Sequence, residues 1–179
     1  MNLADNAVIA QTKKWIMDVV VGCNFCPFAA KEMKKGSVHY EVLSKATIKS
    51  AMAMSIKLME QLDADTAIET SILILPGSFL SFSKYLELLS KAELDLSKKN
   101  YGGIYQLAGF HPDYLFKGTS PTDPSNYTNR SPYPLLHLIR ESSISKAADN
   151  YPGIEHIPAR NIAFAKEKGL LYMQQLLMS

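Results

Sequence analysis

The sequence predicts an α/β fold: a small, mainly parallel three-stranded sheet in β-α-β-α-β order, with a helix in front and a mostly helical last third. Three observations predict it. Short β-rich or wholly apolar runs occur at Val38–Leu43, Thr70–Leu75 and Ile104–Phe110. The segments between them carry apolar residues at helical spacing. Strands joined by helices of such length are usually parallel, with right-handed crossovers.

Each element has its own signal. Val8, Ile9, Trp15, Ile16, Val19 and Val20 give a helix over residues 6–22, with Asp5 or Asn6 as cap and Gly22 as stop. Pro27 is placed to open a second, short helix reaching Lys35. Val38–Leu43 is β-rich and bounded by Gly36 and Ser44, so it reads as a strand. Ile48, Met52, Ile56, Met59 and Leu62 predict a helix over about 46–62. Thr70–Leu75 is a continuous apolar run stopped by Pro76 and Gly77, the pattern of a strand buried on both faces. Phe79, Phe82, Leu86 and Leu89 mark a helix starting near Ser78 or Ser81, and Ile104–Phe110 a third strand. Beyond it the chain reads as helical over 132–149 with a break near Ser142, then over Pro158–Lys168 and Leu170–Met178.

Length and composition bound the function. The 179 residues, 47% hydrophobic and 20% charged, fit one globular domain over residues 1–179. Nineteen basic residues against seventeen acids give a net charge of +2. No Lys/Arg run exceeds two residues, which argues against a nucleic-acid binder. The start, Met1-Asn2-Leu3, lacks the basic and apolar regions of a signal peptide, and no apolar run spans a bilayer. We therefore expect a cytoplasmic protein with no membrane partner, in which Cys23 and Cys26 form no structural disulfide.

The chemistry-bearing residues gather in one stretch. Between Phe110 and Glu141 lie His111, Asp113, Asp123, Asn126, Arg130, His137, Arg140 and Glu141. A long loop with such a cargo is more often functional than a bare connector. In open α/β sheets ligands sit outside the carboxyl ends of the strands, which places His111 on the expected edge if the strands are parallel. Ser131 reads as an N-cap and Pro132 as the first turn of a helix. Such a helix start attracts anions, and Arg130 beside it adds a forked, permanently charged donor. In the helix so predicted, His137 shares a face with Arg140 and Glu141. Proton transfer by His111 or His137 follows from a side-chain pKa close to working pH.

Plainer roles stand beside these. His111 could cap a carbonyl at a strand end, His137 and Arg140 could form a structural network, and Asp123 and Asn126 could hold turns. Cys23-x-x-Cys26 follows a helix, where a thioredoxin-like pair follows a strand, and no second pair completes a zinc site. Cys26 before Pro27 is a candidate nucleophile with His111 or His137 as base. His111, Asp113, Asp123, His137 and Glu141 have the chemistry of metal ligands, but their spacing fits no strong template. Glycine-rich nucleotide loops are absent, so no cofactor is expected.

Several blocks carry a resemblance: V-G-C-N-F-C-P-F-A, I-E-T-S-I-L-I-L-P, Y-G-G-I-Y-Q-L-A-G-F-H-P-D-Y-L-F, N-Y-T-N-R-S-P-Y-P-L-L-H-L-I-R-E and the closing A-R-N-I. Over almost the whole chain the sequence resembles the uncharacterised bacterial domain-of-unknown-function family 1415. The resemblance implies a bacterial, single-domain protein and no activity. Its pattern falls on Cys26, Pro27, Glu69, His111, Pro112, Tyr114, Asn126, Arg130, Ser131, Tyr133, His137, Arg140, Glu141 and Asn161. The place of Cys23 is usually aliphatic in the family, which leaves Cys26 as the cysteine to watch.

The leading expectation is a small hydrolase or transferase acting on an anionic small molecule. Arg130, Ser131, Arg140, Asn126, Tyr133 and Glu141 would bind it, and His111, His137 and Cys26 would do the chemistry. The alternatives are a non-catalytic protein that binds a small ligand or a metal, and a structural protein whose polar network fixes the 111–141 loop. The oligomeric state is not legible. The catalytic expectation requires His111, His137 and Arg130 to converge around one solvent-reachable hollow.

Overall fold

A computed structural model describes residues 3–149 and 151–178. Helix α1 (Leu3–Trp15) runs on into a π-helical segment, Ile16–Val21. A turn through Cys23–Phe28 leads to α2 (Ala29–Lys35), which ends at Gly36 with φ 68°, a left-handed position that glycine fills without steric cost. Strand β1 (Val38–Val42) follows. Helix α3 (Ile48–Ala64) starts at a reciprocal cap. The Ser50 N–H donates to Thr47 Oγ1 at 3.1 Å and the Thr47 N–H to Ser50 Oγ at 2.9 Å. Such a box satisfies two amides that a helix start leaves unpaired. Then come β2 (Thr70–Ile74), α4 (Phe82–Lys98) and β3 (Tyr105–Phe110). The long loop after β3 contains a 3₁₀ turn at Pro124–Thr128 and enters β4 (Leu135–Arg140). Three helices close the chain: α5 (Glu141–Asp149), α6 (Ile157–Lys168) and α7 (Leu170–Met178).

The sheet has four strands in the order β1-β2-β4-β3, not three. β1 pairs with β2 in parallel, whereas β4 is antiparallel to both β2 and β3. The three expected strands do run in one direction, but β4 is wedged between the second and third. The expected helix over 132–149 is thus a strand followed by a shorter helix. The reason is physical. Leu135, Leu136, Leu138 and Ile139 occupy i, i+1, i+3 and i+4, a pattern that suits a helix. It equally suits a central strand buried on both faces, and periodicity alone does not separate the two.

Helices cover both faces of the sheet. On one face Tyr40, Ile72, Ile74, Leu135 and Phe110 pack with Trp15, Ile16, Val19 and Met173. On the other, Leu73, Leu75, Leu136, Leu138 and Tyr105 pack with Leu58, Met59 and Leu62 of α3 and Tyr85 and Leu88 of α4. Gly109 belongs to this second contact. A Cβ there would lie 2.6 Å from the Tyr85 hydroxyl, which donates to the Leu135 carbonyl at 2.8 Å. Among the described residues no helix is long and apolar enough to cross a membrane.

Register fixes the functional edge. Val42 lies opposite Ile74, Ile74 opposite Leu135, and Leu135 opposite Phe110. The carboxyl ends of β1, β2 and β3 therefore share one edge with the start of β4. His111 follows β3 directly and lies there, as expected.

Candidate functional site

The direction of its ring decides what His111 can do. The residue is fully buried, and the ring packs 5.3 Å from Phe82 and 5.1 Å from Tyr85, on the α3/α4 face. Nε2 lies 2.9 Å from the Phe79 carbonyl, and Nδ1 accepts from the Asp113 N–H at 2.9 Å. The second bond sets the tautomer: Nδ1 is the acceptor, so Nε2–H is the donor. Both nitrogens are committed to backbone. Burial holds the imidazole below its ordinary pKa, so it is neutral at physiological pH.

The loop that follows is held from inside. Asn126 is fully buried. Its Oδ1 accepts from the Phe116 N–H and the Thr119 hydroxyl, each at 2.9 Å, while Nδ2 donates to the Ser120 carbonyl at 2.8 Å. Asp123 caps the 3₁₀ turn by accepting from the Ser125 N–H at 2.9 Å and the Ser125 hydroxyl at 2.6 Å. Those bonds hold its carboxyl below the usual range. Lys166 of α6 lies 3.9 Å from the same carboxylate. Replacing Asn126 by Ala leaves the Phe116 amide without a partner and takes one hydrogen bond each from the Thr119 hydroxyl and the Ser120 carbonyl, which keep the Phe116 carbonyl and the Asp123 N–H. At roughly 1–3 kcal/mol for the orphaned amide and about 1 kcal/mol for each further bond lost, less where water enters, a loss of about 3 kcal/mol is expected. That corresponds to roughly 6–12 °C in Tm for a chain of this size. A thermal unfolding curve checks it, and a fall under about 2 °C would show that Asn126 does not hold the loop.

Arg130 and Ser131 do not form a helix start. Ser131 is buried and its hydroxyl donates to the Tyr133 carbonyl at 2.6 Å, closing a turn before β4. The expected aligned amides and helix dipole are absent here, because Pro132 and Pro134 lead into an extended strand. Arg130 donates through Nε to the Tyr114 carbonyl at 3.2 Å and through Nη2 to the Pro121 carbonyl at 3.0 Å. Its guanidinium stacks 4.4 Å above the Tyr127 ring. The Tyr133 hydroxyl donates to Gln11 of α1.

β4 separates the residues that were expected to share a helical face. Side chains alternate along a strand, so His137 points with Leu135 toward α1, while Arg140 points with Leu136 and Leu138 toward α3. His137 Nε2 lies 2.6 Å from Thr70 Oγ1, whose hydroxyl donates to the Leu138 carbonyl at 2.5 Å. Nε2–H is thus the donor. Burial of the half-covered ring pushes its pKa down to about 4. Arg140 gathers the carbonyls of Leu62, Asp65 and Ile68 at the end of α3 and donates to the Tyr105 hydroxyl at 3.3 Å. A cation there complements the negative end of the helix. The Glu141 N–H donates to the Ile104 carbonyl at 2.9 Å, which fastens the start of α5 to β3.

Cys26 is half-buried in the turn after the π-helical segment, and Cys23 is buried; both are free thiols. Burial pushes the Cys23 thiol up. The turn is pinned by α6: Asn161 Nδ2 donates to the Phe25 carbonyl at 2.7 Å and Arg160 to the Asn24 carbonyl. Among the described residues no hydrogen bond links Cys26 to either histidine, and no group of three His, Cys, Asp or Glu is placed to hold a metal ion.

The expected convergence therefore fails. His111 and Arg140 lie on the α3/α4 face, His137 on the α1 face, and the sheet stands between the two histidines. A model of a family described as a protein of unknown function, DUF1415, matches residues 7–175. The chain belongs to the DUF1415 family. No curated protein and no solved structure matches this DUF1415 chain.

Two hollows of the DUF1415 fold have none of His111, His137, Arg130 and Arg140 in their lining. A groove of about 690 Å³ between α3 and α4 is lined by Ile48, Lys49, Met52, Ala53, Ile56 and Lys57 together with Asp95 and Lys99. A cleft of about 50 Å³ lies between α1, Pro132 and α7. Sequence reasoning missed the partners that define each role: Phe79 for His111, Thr70 for His137 and Leu62 for Arg140. These act through backbone carbonyls or a lone hydroxyl, for which residue type gives no signal. The α3 side of the groove also escaped the sequence reading, although Lys49, Ala53, Ile56 and Glu60 recur on one helical stripe.

Proposed function

We propose that this DUF1415 protein is non-catalytic, that its 111–141 polar network serves as internal scaffolding, and that its role is exercised through its surface. One observation carries this: His111, the best-placed candidate acid or base, is fully buried with both ring nitrogens bonded to backbone. The neighbours agree with it. All three arginines of the chain donate to main-chain carbonyls: Arg130 to two, Arg140 to three and Arg160 to one. This takes the place of the hydrolase or transferase expectation, whose two histidines lie on opposite faces of the sheet. A bacterial, cytoplasmic setting belongs to the same proposal. The family resemblance supports the first part, and two free thiols suit a reducing compartment.

A second possibility, a small anionic molecule at Arg130, is favoured by one feature. Among the described residues the guanidinium has no carboxylate partner, and its Nη1 makes no hydrogen bond. A thermal-shift series with phosphate, sulfate and simple dicarboxylates separates the two on wild type, Arg130→Lys and Arg130→Ala. The scaffold role predicts that Arg130→Ala loses a few degrees of Tm and that no anion stabilises the wild type specifically. Saturable stabilisation by one anion, lost in both variants, would establish the anion site and overturn the purely structural role of Arg130.

A further inference from the structure

The outer stripe of α3 is a short seam, joined to the core along one side where Ile56 packs against it. Lys49, Ala53, Ile56 and Glu60 are spaced 4-3-4, the spacing that keeps side chains on one helical line. The residues that face the core, Ala51, Ser55, Leu58, Met59 and Leu62, lie on the other side of the helix. Lys49, Ala53 and Glu60 are exposed and Ile56 is half-covered. The seam forms one wall of the 690 Å³ groove, with Met52 beside it and, opposite, Asp95 of α4 and Lys99 just past its end. Among the described residues, Lys49, Lys57 and Glu60 make no ion pair within the chain.

The order of charges along the seam is the telling feature. If a second copy of the helix is laid antiparallel across a two-fold axis between Ala53 and Ile56, each residue meets the one at the mirrored position. Ala53 then faces Ile56 of the other copy, a small residue against a large one. Lys49 faces Glu60, and by symmetry Glu60 faces Lys49. A parallel arrangement would set Lys49 against Lys49 and Glu60 against Glu60. The stripe is thus complementary to itself in one orientation only, which is what an isologous contact requires.

We propose that the α3/α4 groove is an interface between two copies of this chain, built on antiparallel α3 helices with Ala53 and Ile56 at its centre and Lys49–Glu60 pairs at its ends. The occupant of each groove is the partner's α3, so α3 and α4 of both copies form a four-helix layer. This rests on the surface role proposed above. Its test reads association, whereas that role is tested by stability and anion response, so each can fail alone.

Sedimentation velocity of the full chain over a wide concentration range tests the interface, with circular dichroism to confirm folding. Wild type is expected to shift from monomer to dimer as concentration rises. Ile56→Lys is expected to be monomeric throughout. Lys49→Glu and Glu60→Lys are each expected to weaken the dimer about tenfold or more, and the double variant to restore it. A wild type that stays monomeric into the high micromolar range overturns the proposal. So does a dimer that Ile56→Lys leaves intact, because another face must then hold it. Failure of the double variant to recover association, with Ile56→Lys still disruptive, overturns the antiparallel register.

Discussion

Replacing His111 by Leu is expected to lower the stability of this protein by about 3 kcal/mol, or roughly 6–12 °C in Tm. Leucine fills much of the same volume between Phe82 and Tyr85, so the packing loss is small. What is lost is both bonds of the buried ring, leaving the part-covered Phe79 carbonyl and the Asp113 amide without their side-chain partner. Orphaning a buried polar group costs more than its hydrogen bond contributes when made. Phe79 itself sits at φ 53°, a left-handed position uncommon for a bulky residue, and the histidine bond helps hold it there. Chemical denaturation of wild type and His111→Leu at one pH checks the difference. A variant that unfolds within about 0.5 kcal/mol of wild type would show that the imidazole is not structural. It would also return His111 to the list of groups available for chemistry.

Acid is expected to destabilise the protein well before its carboxylates titrate, and His137 is the main cause. In the folded state burial sets its pKa at about 4, whereas the unfolded chain has the ordinary value of 6.5. A histidine whose folded pKa is depressed contributes stability that is complete above the unfolded pKa. That stability is lost as pH falls from 6.5 toward the folded value, because the unfolded state then binds the proton more strongly. Between pH 7.5 and 4.5 the loss from a shift to about 4 comes to about 2.5 kcal/mol. His111, also held below its ordinary pKa by burial, adds to the loss in the same direction. His137→Gln keeps an N–H donor for Thr70 and removes the titration. Urea unfolding at the two pH values should therefore show a smaller acid loss for this variant, by about 2 kcal/mol. Equal acid sensitivity in the two proteins would place the effect elsewhere.

The legible parts of the molecule were those written in local pattern. The β-rich run at Val38–Leu43 and the continuous apolar run at Thr70–Leu75 became strands, and the stripe Ile48, Met52, Ile56, Met59 and Leu62 became α3. β4 was not legible, because Leu135–Arg140 satisfies helix and buried-strand spacing alike and only β2 and β3 on either side decide between them. That one misassignment carried the site with it. It created a helix start at Ser131 that does not exist and put His137 and Arg140 on one face when a strand sets them on two. The chain has three arginines, and each clamps main-chain carbonyls, since a guanidinium can gather several carbonyls at once.

The sequence alone determined the α/β class, the common direction of β1, β2 and β3, the position of His111 at their carboxyl edge and the membership of the DUF1415 family. These follow from hydrophobic period, turn residues and motif blocks, all of which act over a few neighbours along the chain. Only the tertiary structure decided which strand entered the middle of the sheet, which face each histidine took and whether its nitrogens were free. Those outcomes depend on backbone carbonyls and packing surfaces brought together from far along the chain, such as Phe79 against His111 and Thr70 against His137. A carbonyl is the same at every residue, so its role is set by where the fold carries it.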